Sequence, residues 1–162
     1  MENKRKNILA LLKRNARISC KEISERLNIE VNEVTQIIKE MEDEQLILGY
    51  AAIVSPENGE NEVRAIIEVQ VQPERDTGFD NIARRLARFP EVVSVHLVSG
   101  SYDLRLELTG KSLQDIANFV AGKLSSQDGV KSTATLFLLK KYKEAGIEFT
   151  KVEKHERLKI VP

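Results

Sequence analysis

The sequence predicts an α+β protein, with an N-terminal helix-turn-helix domain (three-helix, winged-helix-like) followed by a ferredoxin-like βαββαβ domain. Three observations lead to this prediction. Up to about Ile47, apolar residues recur every three or four positions, which is the period of an amphipathic helix. Beyond Leu48, valine-rich strand segments alternate with helical segments in the order β-α-β-β-α-β. A polar, turn-forming linker at 55–61 separates the two regions.

The N-terminal domain, residues 1–54, divides into three short helices. A tight turn between the second and third is the layout of a helix-turn-helix. Ser19 and Glu22 have the spacing of a capping box, in which each side chain bonds the other residue's amide at the start of the second helix. The third helix extends to about Gln45, and a strand is predicted at 49–54. The apolar stripes of the three helices are Ile8, Leu11 and Leu12; Ile23 and Leu27; and Val34, Ile38 and Met41.

The C-terminal domain, residues 62–143, contains four strands and two helices. Thr77 and Ser112 are predicted to cap the helices, because each stands three residues before an aspartate. The tail at 144–162 alternates imperfectly and is open to two interpretations, an extra strand or a mobile segment. Strands are predicted at 63–71, 92–98, 102–108 and 130–140, and helices at 79–89 and 113–124.

This order of elements places both helices on one face of a four-stranded antiparallel sheet. The other face then has no cover within the chain. Leu136 and Leu138 alternate on the last strand and require burial. An apolar sheet face without its own cover predicts a partner subunit.

Composition excludes several classes of protein. Among 162 residues, 25 basic and 25 acidic side chains balance to a formal charge of zero, which is less basic than many DNA-binding proteins. Apolar runs are too short to cross a bilayer, no secretory signal is found, and one cysteine, Cys20, forms no disulfide framework. These features predict a cytoplasmic protein without a membrane partner. With no zinc-ligand spacing, P-loop or nucleophile–base pair, we expect no metal, no cofactor and no enzymatic activity.

Several short segments, in order and spacing, resemble the Lrp/AsnC (leucine-responsive, feast/famine) family from about Ile8 to Tyr142. None is specific alone. They are Ile8-Leu9-x-Leu11-Leu12, Asn15-Ala16-Arg17-Ile18-Ser19, Leu46-Ile47-Leu48-Gly49-Tyr50, Phe89-Pro90-Glu91-Val92, Gly100-Ser101-Tyr102-Asp103, and Gly129-Val130 with Thr133-x-Thr135.

The resemblance implies a transcription regulator that binds double-stranded DNA and responds to a small effector, commonly an amino acid. It also implies dimers that form through the sheet of the C-terminal domain and often assemble into octamers. The effector is expected between dimers, near the Gly-x-Tyr-Asp loop. Asp103 would pair with an ammonium group; alternatively the loop is a plain hairpin turn with Tyr102 packed and Asp103 solvated. The candidate effector-binding residues are Gly100, Ser101, Tyr102, Asp103, Thr133 and Thr135.

The third helix departs from the family pattern. Relatives usually begin it with a serine cap and place arginines midway, whereas this chain has Glu30 at its start, and Asn28 or Asn32 is expected to cap instead. From 30 to 44, Lys39 is the only basic residue against six acidic ones. The alternative function is therefore an amino-acid-binding or interaction module with weakened DNA binding. The candidate DNA-binding residues are Arg17, Lys21, Asn32, Thr35, Gln36 and Lys39.

Overall fold

The computed structural model describes residues 2–55 and 62–149. These residues form two compact units that divide between Ile53 and Val54. The first unit contains helices α1 (Glu2–Arg14), α2 (Cys20–Leu27) and α3 (Val31–Asp43). The predicted linker, apart from residue 55, and the last part of the predicted tail, 150–162, lie outside the described residues.

The three helices of the first unit enclose one small apolar core. In α3 the buried residues are Val34, Ile37 and Met41, while Ile38, which the sequence placed on this face, is half-buried beside them. Ile8 of α1 and Ile23 of α2 are fully buried against this face. The core is therefore formed by helix faces with the predicted period, shifted by one residue in α3.

The start of α2 confirms half of the predicted capping box. The Ser19 hydroxyl accepts a hydrogen bond from the amide of Glu22 at 3.1 Å. The Glu22 carboxylate, however, accepts from Arg26 at 2.7 Å, one helical turn away. The serine thus satisfies one of the open amides at the helix start, and the glutamate forms an i,i+4 ion pair instead.

The prediction for the cap of α3 is wrong. Asn28 ends α2 in the left-handed conformation (φ 52°), with its backbone amide bonded to the carbonyl of Ser24. Glu30 occupies the N-cap of α3 without a side-chain hydrogen bond, and Asn32 lies inside the helix. An asparagine tolerates a positive φ better than most residues, so the tight turn between the two helices uses Asn28 for that purpose.

The strand predicted at 49–54 is also wrong, because residues 48–55 have no regular structure. The side chain of Leu48 is 87% exposed and that of Val54 61%. A strand is stable only when a neighbour satisfies its backbone groups, and the described part of the first unit contains no strand to pair with this segment.

The second unit confirms the predicted α+β, ferredoxin-like architecture. Its main elements are β1 (Val63–Val71), α4 (Asp80–Leu86), β2 (Val92–Leu97), β3 (Leu104–Gly110), α5 (Leu113–Phe119), which continues as a π-helical turn over Val120–Leu124, and β4 (Val130–Phe137). Residues Lys143–Glu144 and Ile147–Glu148 form a separate two-stranded hairpin, β5 and β6. The main sheet has the order β2-β3-β1-β4, with every neighbouring pair antiparallel.

Both helices pack on the same face of the sheet, as predicted. At the centre of the core, Ile67 of β1 and Leu106 of β3 are register partners, and both are fully buried. Ile82 of α4 and Ile116 of α5 pack into the same cluster. Along β1 and β3, fully buried residues alternate with half-buried ones, which is the period of a strand whose one face packs on the core.

The two predicted helix caps of this unit have different outcomes. The Ser112 hydroxyl accepts from the amide of Asp115 at 3.1 Å, which confirms the cap of α5. Thr77 does not cap α4; its hydroxyl donates to the Glu74 carboxylate at 2.8 Å. Gly78, at φ 57°, turns the chain between Thr77 and the helix, so the threonine side chain bonds within the preceding turn.

The open face of the sheet is more polar than the sequence predicted. Arg64 of β1 lies 3.5 Å from Glu107 of β3 and 3.8 Å from Glu144, and Lys141 lies 2.7 Å from Glu144. Exposed apolar side chains are concentrated instead on β4 and the residues after it. These include Leu136, Phe137, Leu139, Tyr142 and Ile147. The partner subunit inferred from this face remains a prediction.

Candidate functional site

Four of the predicted DNA-binding residues share one exposed face of α3. Asn32, Thr35, Gln36 and Lys39 have the spacing of a single helix face and are all exposed. The opposite face is the buried one that carries Val34. An exposed polar helix face with asparagine, glutamine and lysine side chains presents the groups that recognise base edges in the major groove.

Two of these four side chains are engaged by their own helix. The Thr35 hydroxyl donates to the carbonyl of Val31 at 3.0 Å. The Gln36 amide donates to the Glu40 carboxylate at 3.0 Å. Gln36 must therefore break a local hydrogen bond before it can contact a base.

Ion pairs with α1 hold two acidic side chains, one within α3 and one at its C-cap residue, Glu44. Glu33 lies 2.6 Å from the ammonium group of Lys4. Glu44 accepts two hydrogen bonds from the Arg5 guanidinium, which lower the pKa of the Glu44 carboxyl and raise that of Arg5. The acidic composition of α3 is thus partly neutralised from a neighbouring helix. The partners are 29 and 39 positions apart, and no pattern in the sequence indicated them.

A third acidic side chain of α3, that of Glu42, contacts the segment after the helix. It accepts a hydrogen bond from the Tyr50 hydroxyl at 2.8 Å. Partial burial of the Tyr50 side chain raises the pKa of its hydroxyl, and the hydrogen bond to Glu42 raises it further by a smaller amount. The remaining two predicted DNA-binding residues, Arg17 and Lys21, are exposed, in the turn before α2 and in its first turn.

The predicted effector loop joins β2 to β3, and Asp103 ends the ladder between β3 and β1. One of its carboxylate oxygens accepts from the amide of Val71 at 2.9 Å, and its own amide donates to the carbonyl of Val69 at 3.1 Å. The side chain is half-buried, as is that of Tyr102. Asp103 is therefore positioned by the fold and keeps its other oxygen for a second hydrogen-bond donor.

Gly100 is not required by the turn itself. It has no positive φ, and a Cβ added to it would meet no atom within 4 Å. The open space leaves the loop backbone accessible to another molecule.

Gln70 connects the loop to β4. Its side-chain amide donates to the carbonyl of Ser101 at 2.9 Å, while the Ser132 hydroxyl donates to its amide oxygen at 2.8 Å. The sequence contained no signal for either Gln70 or Ser132. The two hydrogen bonds of Gln70 therefore link the loop to the start of β4 at one end of the sheet.

The two candidate threonines occupy different positions relative to that end. Thr133 pairs with Val69, the residue whose carbonyl binds the Asp103 amide, and its hydroxyl lies 3.4 Å from that of Ser125. Thr135 pairs with Ile67, two residues or roughly 7 Å further along the sheet. The structure therefore brings Thr133 to the loop end and leaves Thr135 more distant.

The described residues, 2–55 and 62–149, contain neither a helix long and apolar enough to span a membrane nor a group of three side chains arranged to hold a metal ion.

Two sequence-family models match the chain. The winged helix-turn-helix DNA-binding model matches residues 1–47, and the Lrp/AsnC ligand binding domain matches residues 64–147. The second match covers more than half of the chain. The first structural unit thus matches a DNA-binding domain, and the second matches a ligand-binding domain.

Individual relatives agree with both matches. The HTH-type transcriptional regulator YugG of Bacillus subtilis, described as uncharacterised, is 42% identical over 164 residues, which cover 100% of this chain and 99% of YugG. A transcriptional regulator of Neisseria meningitidis, solved as a complex with L-methionine, superimposes with a TM-score of 0.71 at 28% identity, over 89% of this chain and 93% of that one. AsnC of E. coli has the same fold, with a TM-score of 0.69 at 21% identity, over 91% and 97% of the two chains.

Proposed function

The chain belongs to the Lrp/AsnC family of transcriptional regulators, with an N-terminal DNA-binding domain and a C-terminal ligand-binding domain, and from this premise we propose how each domain works. In the first, the exposed face of α3 reads DNA sequence. In the second, the loop of Gly100 to Asp103 binds an amino-acid effector. The single observation that supports the DNA-reading role best is the shared exposure of Asn32, Thr35, Gln36 and Lys39 on one face of α3.

The chemistry of this α3 face fits base recognition better than phosphate binding. Asn32 and Gln36 have the amide groups that bind adenine, and Lys39 has a donor for guanine. Phosphate contacts would come from exposed cations outside α3, Arg17 and Lys21. Specificity and affinity are thus assigned to different parts of the domain.

DNA binding is tested by fluorescence anisotropy with the duplex upstream of the protein's own gene, measured across a salt series. We expect Asn32→Ala to lower specific affinity by about tenfold, with little change in the salt slope, since it removes a base contact. Arg17→Ala should reduce the slope by about one, since it removes a phosphate contact. If the wild type and Asn32→Ala each bind the upstream duplex and a random duplex with equal affinity, base reading by α3 is refuted.

The effector role rests on the accessible loop backbone at Gly100 and the second oxygen of Asp103. An amino acid's ammonium group would bind this oxygen, and exposed amides of the loop would receive its carboxylate. The methionine complex of the Neisseria meningitidis relative supports an amino acid as the effector class. Ser101, Tyr102, Thr133 and Thr135 complete the proposed set.

The effector role is tested by isothermal titration calorimetry with pooled and then single amino acids. Gly100→Val should abolish binding, because the added side chain occupies the open space over the loop without a clash in the chain itself. Gly49→Val is the matched control, as its Cβ also meets nothing within 4 Å. Equal amino-acid affinity in the two variants would contradict the assignment.

The proposal includes assembly and location. In this proposal residues 1–54 form the DNA-binding domain and residues 62–143 the ligand-sensing and oligomerisation domain. Residues 55–61 are the linker between them, and residues 144–162 are the tail. The exposed apolar side chains of β4 support a dimer through the second domain, and dimers would combine into octamers. The protein acts in the cytoplasm, without a cofactor and without catalysis.

A second candidate function, amino-acid binding with weakened DNA affinity, is favoured by one observation. Lys39 is the only cation of α3, and the nearby cations Lys4 and Arg5 are paired with Glu33 and Glu44. The same salt series separates the two functions. Absence of DNA binding at low salt, in a protein that still binds an amino acid, would establish the second.

A further inference from the structure

Three consecutive residues at the end of β1 hold the predicted effector loop. The carbonyl of Val69 accepts a hydrogen bond from the amide of Asp103, and the amide of Val71 donates to the Asp103 carboxylate. Between these two, the side-chain amide of Gln70 donates to the carbonyl of Ser101 at 2.9 Å. The two outer residues thus hold Asp103 through their backbones, whereas the contact with Ser101 depends on the identity of one side chain.

The contact of Gln70 with Ser101 requires a side chain that both donates and accepts. The Ser101 carbonyl can only accept, so the nitrogen end of the Gln70 amide must face it. The oxygen end then faces Ser132 of β4, whose hydroxyl donates to it at 2.8 Å. Gln70 and Ser132 are register partners in the sheet, so the side chain is held from the neighbouring strand. A methionine of similar length has no donor for the carbonyl.

The contact with Gln70 also sets the direction of the next backbone amide. The described chain contains no cis peptide bond, so the Ser101 carbonyl and the Tyr102 amide hydrogen point in opposite directions from one peptide plane. Because the carbonyl points at Gln70, the Tyr102 amide points away from it. Within the described residues this amide has no hydrogen-bond acceptor, whereas that of Asp103 is bonded to Val69. The Tyr102 amide is therefore a donor of fixed direction that still requires an acceptor.

We propose that Gln70 is a positioning residue, which turns the Ser101–Tyr102 peptide so that the Tyr102 amide receives the carboxylate of the effector. The ammonium group of the same amino acid binds the second oxygen of Asp103. Gln70 acts in this way only if the loop binds the effector, as proposed above. Selection of an amino acid over an amine without a carboxylate then depends on a residue outside the loop.

The test is calorimetric titration of the full chain with L-methionine and L-leucine, and with L-methioninol and L-leucinol. These alcohols keep the side chain and the ammonium group but lack the carboxylate. The wild type should prefer each acid to its alcohol by about tenfold, the value of one hydrogen bond to a charged group. Gln70→Met should weaken acid binding by about tenfold and leave alcohol binding unchanged, whereas a merely structural role would lower both alike.

Gln72→Met is the matched control for this experiment. Gln72 is also exposed, and it is held through its backbone amide, which donates to the carbonyl of Gly129 at 2.7 Å. Its substitution should leave the preference for the acids unchanged. Ser132→Ala covers the case in which Gln70→Met does not fold. It removes only the donor to the Gln70 oxygen, so the acid preference should fall in the same direction by a smaller factor.

The outcomes separate the positioning role from the effector role of the loop. Equal wild-type affinity for acids and alcohols, equal losses of both in Gln70→Met, or the same change in Gln72→Met overturns the positioning role and leaves the loop as effector site. If neither acid binds the wild type, or if Gly100→Val leaves acid binding unchanged, the effector role fails and the positioning role fails with it. A loss of acid preference confined to Gln70→Met and Ser132→Ala supports both.

Discussion

The ion pairs of α1 with Glu33 of α3 and with Glu44, the C-cap of α3, predict that removing these two carboxylates will strengthen DNA binding in a salt-dependent way. Glu33 holds Lys4, and Glu44 holds Arg5. In Glu33→Gln and Glu44→Gln each cation is released and can contact a phosphate. Each new phosphate contact steepens the plot of log affinity against log salt by about 0.9, so the double variant should gain up to roughly 1.8.

That slope translates into a measurable change in affinity. Between 50 and 200 mM salt, each additional contact should increase the loss of affinity by about three- to fourfold beyond that of the wild type. The assay is fluorescence anisotropy with the upstream duplex at five or more salt concentrations. Thermal unfolding of each variant verifies that the fold is retained, which is expected because exposed ion pairs contribute little to stability.

Glu25→Gln is the matched control for this experiment. It removes an exposed carboxylate from α2, where no cation pairs with Glu25 in the described part of the chain. A general effect of net charge would change Glu25→Gln and Glu33→Gln equally. A Glu33→Gln slope equal to that of Glu25→Gln would refute the idea that Lys4 is held back from phosphates.

Three further predictions concern stability. Ser19→Ala should lower the free energy of unfolding by about 1 kcal/mol in urea titrations, because it removes the cap of α2; an unchanged midpoint would show that the bond at 3.1 Å contributes nothing. The hydrogen bond from Lys123 lowers the pKa of Glu91 below its ordinary 4.5, so this pair stabilises the fold above that pH and the contribution is lost as pH falls through the lowered folded-state pKa. Between pH 6 and pH 3 the free energy of unfolding, measured by urea titration, should therefore fall less steeply in Glu91→Gln than in the wild type. Equal slopes in the two proteins would contradict the ion pair. Ile67→Ala should cost about 2–5 kcal/mol, because Ile67 is fully buried at the centre of the sheet; a loss below 1 kcal/mol, measured by the same urea titration, would be inconsistent with that packing.

Local patterns predicted most of the fold. Periods of two and of three to four residues located all main strands and helices, because one face of each element is buried against a common core. Side-chain caps were predictable only where the chain enters the helix directly, as at Ser19 and Ser112. Thr77 failed because Gly78 redirects the chain before α4, and Asn28 failed because its backbone was needed for the end of α2.

The candidate site was predicted as residue types but not as an arrangement. Their residue types alone made Asn32, Thr35, Gln36 and Lys39 candidates, and the structure showed that they share one exposed helix face. The sequence did not indicate that Gln36 is bound to Glu40, or that Gln70 joins Ser101 to Ser132. These contacts depend on the rotamers and register of neighbouring elements, which no one-dimensional pattern specifies.

The sequence by itself determined the order of elements, the two domains and the family, because these depend on periodicity and on short segments in a set order. Only the tertiary structure decided what the acidic residues of α3 do. Ion pairing depends on distances of a few ångströms between helices that are far apart in the chain, and Glu33 and Glu44 found their partners on α1.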